Sequence, residues 1–154
     1  MDKLKRIICV LLSFCMIIGF SSCDNDDNSD EPSTTQAVEE EKVDTGRRFQ
    51  VGIIGTGGIS QSHTEGYKEI PELCEVVACC DIDEEKVKKY AARYGIPRWY
   101  TDCREMMAKE ELDCVSVCTW NSAHKECTIV ALDGGANVIC EKPMAMNTQE
   151  CREM

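Results

Sequence analysis

A chain of 154 residues has room for one domain with a sizeable core, but not for two large ones. Its formal charge of -11 comes with no basic patch that could neutralise phosphates along a strand, which argues against a nucleic-acid partner. The charge is uneven: residues 24–45 hold nine acids against one lysine, so the first third must be read apart from the rest.

Residues 1–23 read as an export signal. Lys3, Lys5 and Arg6 precede an apolar run from Ile7 to Phe20, which is too short to span a bilayer comfortably. Phe20-Ser21-Ser22-Cys23 resembles a bacterial lipobox, in which the cysteine is lipidated and becomes the mature N-terminus, although Phe20 stands where Leu is usual. The expectation is a cell-envelope lipoprotein attached to the membrane through Cys23. Residues 24–48 are too acidic and polar to bury apolar surface, and are expected to form a solvated, disordered tether. Cysteine usage points the other way. Of 12 cysteines, nine lie outside the signal, an odd number with no C-x-x-C pair. Free thiols in that number suit a reducing setting, so a cytoplasmic location is the alternative. Cys79, Cys80, Cys118 and Cys140 read as small buried hydrophobes, and no metal site is expected.

From residue 49 short apolar runs alternate with helix-period segments, as in βαβ units around a parallel sheet. The first strand is Phe49 to Ile54 and the first helix Ile59 to Ile70, stopped by Pro71. Cys74 to Cys80 is the second strand. Asp83 then caps a helix whose first turn carries Glu84 and Glu85. Val87, Tyr90, Ala91 and Tyr94 follow i, i+3, i+4, i+7 and form its buried stripe, and Gly95 closes it. A short strand near Trp99 and Tyr100 leads to a helix with the capping-box pattern Asp102-x-x-Glu105. Cys114 to Cys118 is a strand covered on both faces. The next helix starts at Ser122, turns Cys127, Val130 and Ala131 inward, and ends at Gly134-Gly135. Asn137 to Cys140 is the fifth strand, and Asn147 with Glu150 opens a last helix.

Gly55-x-Gly57-x-x-Ser60 follows a strand and opens a helix, the context in which a glycine fingerprint binds a dinucleotide. Gly55 allows the tight turn, and Gly57 with Gly58 and Ile59 brings backbone N–H groups and the helix dipole to a pyrophosphate. Ser60 is small enough for close packing, provided its hydroxyl finds a partner. Asp81 ends the second strand at the same sheet edge. A carboxylate there accepts hydrogen bonds from ribose hydroxyls and repels a 2′-phosphate, so NAD is favoured over NADP. His63 is expected to be an exposed residue of the first helix, without a functional role.

Two more motifs lie at carboxyl ends of strands: Thr119-Trp120-Asn121-Ser122-Ala123-His124 and Glu141-Lys142-Pro143. With the glycine turn they resemble the Gfo/Idh/MocA family of oxidoreductases, in which the signatures read roughly Thr-Pro-Asn-x-x-His and Glu-Lys-Pro; Trp120 replaces the usual Pro. The resemblance runs through residues 50–154. It implies an α/β, Rossmann-type doubly wound parallel sheet over 49–154 and an NAD(P)-dependent dehydrogenase acting on a sugar or polyol hydroxyl. It places Thr119, Asn121, His124 and Glu141 around the cofactor and makes Lys142 the catalytic residue that polarises or deprotonates the hydroxyl.

The resemblance further implies a second domain that supplies most substrate contacts and builds the oligomer. Neither that domain nor the sixth strand is in this sequence. The expectation is therefore a truncated cofactor domain, incomplete at its C-terminal end, inactive by itself and oligomeric only with the second domain. An NAD-dependent glycosidase of the same family, or a non-catalytic dinucleotide-binding fragment, are the alternative readings.

Overall fold

The computed structural model describes residues 46–154; the export signal, the lipobox cysteine and nearly all of the acidic tether lie outside the described residues. Five strands alternate with helices. They are β1 (Phe49–Ile54), α1 (Gly58–Lys68), β2 (Cys74–Cys80), α2 (Glu84–Tyr94), β3 (Arg98–Tyr100), α3 (Cys103–Lys109), β4 (Cys114–Val117), α4 (His124–Asp133), β5 (Asn137–Cys140) and α5 (Thr148–Glu153). A single 3-10 turn, Asn121–Ala123, leads into α4. The strands pair in the order β3-β2-β1-β4-β5, all parallel. The direction of winding reverses between β1 and β4, which is where open sheets of this kind bind ligands.

The sheet is buried on both faces by two separate sets of side chains. On one face Val51, Ile53 and Cys79 pack against Tyr67 of α1 and the stripe Val87, Tyr90, Ala91 and Tyr94 of α2. On the other, Val115, Val117 and Cys80 pack against Met106 and Met107 of α3 and Cys127, Val130 and Ala131 of α4. Both expected stripes are therefore the ones buried, as a period of 3.6 requires. Helix α2 also starts and stops as its sequence says. Asp83 accepts a hydrogen bond from Lys86 N, and Gly95 takes the left-handed conformation (φ 68°) that ends the helix.

Three details depart from expectation. The first helix ends at Lys68 rather than Ile70, and a turn carries the chain past Pro71. The capping box at α3 is half formed. Asp102 accepts from the N–H groups of Arg104 and Glu105, but the Glu105 carboxylate pairs with Lys109 one turn on instead of reaching back. Cys140 is only half-buried, because β5 is an edge strand among the described residues. Cys79, Cys80 and Cys118 are buried as expected, and burial pushes each thiol up to about 12.

Candidate functional site

Four strand ends define one edge of the sheet. The Gly55 N–H donates to Cys80 O at the end of β2, and the Cys118 N–H donates to Ile54 O at the end of β1. The Asp81 N–H donates to Tyr100 O, and the Glu141 N–H to Val117 O. These bonds carry the ladders just beyond the strands. They bring the glycine turn, Asp81, the 119–124 loop and Glu141 to a common rim, although these residues are far apart in sequence.

At the centre of the rim, Gly55 has φ 89°, and a Cβ there would stand 2.7 Å from the backbone of Cys118 and Thr119. Only glycine lets β1 turn into α1 this close to the β4 loop. Gly57 is the N-cap of α1 and offers no side-chain hydrogen bond, and the first turn of the helix contains no acid. Among the described residues, apart from the adjoining chain and the helix's own backbone, a Cβ built on Gly57 meets only Cys118 O at 4.0 Å and one built on Gly58 meets nothing within 4 Å, so the approach to the helix N-terminus is open. That opening, with backbone N–H groups uncapped by side chains and a positive dipole end, fits the phosphates of a dinucleotide. Ile59 stands part-exposed beside it. Ser60 is fully buried, and its hydroxyl finds the expected partner by donating to Gly57 O at 2.6 Å.

Asp81 is held from several sides. Oδ2 accepts from Thr56 N, Thr56 Oγ1 and Lys86 Nζ, each at 2.8 Å, and Oδ1 accepts from Asp83 N at 3.1 Å. The side chain is 8% exposed. Burial raises its pKa, but the Lys86 ammonium and the Thr56 and Asp83 donors outweigh burial and hold the carboxyl below its usual range. Lys86, on the first turn of α2, sets a cation against the carboxylate that the Asp81 position by itself does not reveal.

The other motif residues divide into exposed and buried. Asn121 and Trp120 are exposed, Trp120 to 85%, and Thr119 is half-buried, with its hydroxyl donating to Trp120 O. Lys142 is 90% exposed, its Nζ 3.8 Å from Glu141 Oε2, and the Lys142–Pro143 peptide is cis. His124 differs from expectation: it is 1% exposed and does not line an open cleft. Its Nδ1 lies 2.8 Å from Pro143 O and its Nε2 3.2 Å from Thr119 O. Packed at the start of α4, the ring reaches the backbone of both motif loops and ties them together.

His63 is the larger correction. It is not an exposed bystander, for its side chain is 17% exposed. Nε2 lies 3.1 Å from Glu141 Oε1 and Nδ1 lies 3.2 Å from Ser116 Oγ. The signal was in the sequence: Ser60, His63, Thr64 and Tyr67 follow the same i, i+3, i+4, i+7 spacing that marks α2. Its polar members disguise the stripe. Thr64 and Tyr90 bond each other, and Tyr90 donates to Ser60 O, so these buried hydroxyls have partners. Among the described residues no group of three or more His, Cys, Asp or Glu side chains could hold a metal ion.

A doubly covered parallel sheet with an open glycine turn at its switch point defines a Rossmann-type dinucleotide-binding domain. Residues 49–154 match the GFO_IDH_MocA family, an oxidoreductase family with an NAD-binding Rossmann fold, and the chain belongs to that family. Its members are NAD(P)-dependent dehydrogenases. Similar proteins include the D-apiose dehydrogenase of Paraburkholderia graminis, 34% identical over 110 residues, which are 71% of this chain and 29% of that protein. The inositol 2-dehydrogenase of Pseudomonas savastanoi pv. phaseolicola is 33% identical over 107 residues, 69% of this chain and 32% of its own length. Among solved structures, the WlbA dehydrogenase of Bordetella pertussis, in complex with NADH and UDP-GlcNAcA, superimposes with a TM-score of 0.67 at 26% identity. The match covers 70% of this chain and 32% of that one. The chain thus spans about a third of the length of the relatives it matches.

Proposed function

We propose that residues 49–154 form the cofactor half of an NAD-dependent dehydrogenase that oxidises a hydroxyl of a sugar or polyol. The observation that carries this reading is the uncapped, acid-free N-terminus of α1 behind Gly55, set between Asp81 on one side and the Thr119 and Glu141 loops on the other. In this reading Gly55, Gly57, Gly58 and Ile59 hold the pyrophosphate, and Asp81 receives the adenosine ribose at Oδ1, which accepts from Asp83 N alone. Thr119, Asn121 and Glu141 border the nicotinamide end, with His124 holding their loops in place. Lys142, free of close partners apart from Glu141, receives the proton of the hydroxyl being oxidised. A bound nicotinamide would supply the acceptor for the hydride of the carbinol carbon. The matched sugar and polyol dehydrogenases support the substrate class. The buried, ionised Asp81 supports NAD over NADP, and Lys86 beside it softens that preference by partly neutralising the carboxylate.

Calorimetric titration of the full chain with NAD and NADP tests the reading. NAD is expected to bind more tightly, and Asp81→Ala to reduce or reverse the difference. Unchanged discrimination in that variant sinks the assignment of Asp81. We also propose attachment to the cell envelope through Cys23, on the strength of the lipobox-like segment. Labelled palmitate should enter the protein in a bacterial host and be lost in Cys23→Ser; equal labelling of the variant, or none in either, refutes it.

A further inference from the structure

One continuous polar chain runs from the packed interior of the α1 face to the rim. The Tyr67 hydroxyl lies 2.8 Å from Ser116 Oγ, Ser116 Oγ 3.2 Å from His63 Nδ1, and His63 Nε2 3.1 Å from Glu141 Oε1. Tyr67 and Ser116 are buried, Ser116 completely. Chemistry fixes the direction of these bonds for a neutral ring. An ionised carboxylate only accepts, so His63 Nε2 carries the ring proton and donates to Glu141. Nδ1 is then an acceptor, Ser116 donates to it, and Tyr67 donates to Ser116. Every donor in the chain points outward to a single carboxylate.

The far side of that carboxylate is held as well. Oε2 accepts from the Lys142 N–H at 3.0 Å. Burial raises the Glu141 pKa, yet the His63 hydrogen bond and the Lys142 N–H outweigh it and keep the acid ionised. Buried hydroxyls and an imidazole are costly at a helix–sheet interface unless each is hydrogen-bonded, and here each is bonded to the next. Here they orient one anion that neighbours the lysine of the site.

We propose that His63 is a positioning residue: through Glu141 it fixes a negative charge at the nicotinamide end, which favours the positively charged oxidised ring over the neutral reduced one. This rests on the cofactor placement proposed above. His63 acts without touching the cofactor. Its Nε2–H aims Glu141 Oε1, and Glu141 in turn holds the backbone of Lys142 through Oε2. A fixed anion discriminates between two redox states of one ligand only because their charge differs there, so removing its support must change the ratio of the two affinities.

The test uses the full chain and isothermal titration with NAD and NADH separately at pH 7.5. His63→Asn keeps a polar group facing Ser116 but is too short to reach Glu141, whereas His63→Gln carries an amide N–H close to the Nε2 position. In His63→Asn the affinity for NAD is expected to fall roughly three- to tenfold more than that for NADH. His63→Gln should restore the wild-type ratio. Equal weakening of both ligands by His63→Asn marks a purely structural strut and overturns the proposal, as does failure of His63→Gln to restore the ratio. Should His63→Asn not fold, nitrogen NMR of the wild-type ring decides: protonation at Nε2 is required, and a ring protonated at Nδ1 alone overturns the proposal. A wild-type chain that binds neither dinucleotide defeats the cofactor-site reading itself, and this inference with it. Binding of both ligands with an unchanged ratio in the variant defeats only the inference.

Discussion

Helices α1 and α2 are each 11 residues long, follow adjacent parallel strands and pack on the same face of the sheet, yet their N-termini are opposites. At α2, Asp83 accepts from Lys86 N, and Glu84 and Glu85 lie in the first turn. The helix caps one of its own orphan donors and meets its dipole with its own acids. At α1 the cap is Gly57, with no side-chain bond and no acid in the first turn. One helix end is finished by the sequence; the other is left for a ligand to finish. A glycine cap is about several tenths of a kcal/mol less stabilising than an Asp, Asn, Ser or Thr cap, which sets the scale of what α1 forgoes to stay open.

The comparison can be broken most severely at Gly55. Gly55→Ala combines a left-handed φ of 89° with a Cβ 2.7 Å from the backbone of Cys118 and Thr119. The expected loss is roughly 2–5 kcal/mol of folding stability from backbone strain and overpacking together, read by urea unfolding. Dinucleotide affinity should disappear with it; a variant with wild-type stability would show that the turn is not as tight as described. Making α1 resemble α2 is a finer intervention. Gly57→Asp supplies the missing cap and should raise stability by several tenths of a kcal/mol while weakening NAD binding at least tenfold, about 1.4 kcal/mol, by placing an anion where the phosphates enter. If both stability and affinity rise, the N-terminus of α1 is not the phosphate site. The smallest effect is expected in the reverse exchange. Asp83→Ala removes the α2 cap and should cost about 1 kcal/mol in thermal or urea unfolding, with NAD affinity nearly unchanged.

The contrast between these helices also separates what the sequence shows from what it hides. Helix α2 was legible almost to the residue, because its cap, its buried stripe and its terminating Gly95 are local features with fixed spacing. The fold class, the five strands and the glycine turn were legible for the same reason. Helix α1 is marked in the sequence by the glycine turn before it and Pro71 after it, not by an apolar stripe. Its inner stripe contains Ser60, His63, Thr64 and Tyr67, whose polar atoms hide the periodicity until their partners are known. Apart from Gly57 O, which holds Ser60 locally, those partners sit on β4, on α2 and just past β5, and only the strand order brings them within reach. The same limit explains His124. Its motif placed it correctly at the rim, but burial depends on two loops that converge on it from Thr119 and Pro143. Lys86 lies five residues beyond Asp81, and only the first turn of α2 folds its ammonium back onto the carboxylate.

Strand β1 lies in the middle of the sheet, with β2 on one side and β4 on the other. A ribosome delivers these strands in a different order. When β3 has emerged, β1, β2 and β3 can already pair, but Val51, Gly52, Ile53 and Ile54 must keep one row of backbone groups waiting for Cys114 to Val117. Until β4 arrives, a strand whose last four residues are buried in the finished domain is an open edge, able to template pairing with another chain. Synthesis speed between Tyr100 and Cys114, and any chaperone that occupies the nascent chain during that interval, therefore govern how much of the product folds and how much aggregates.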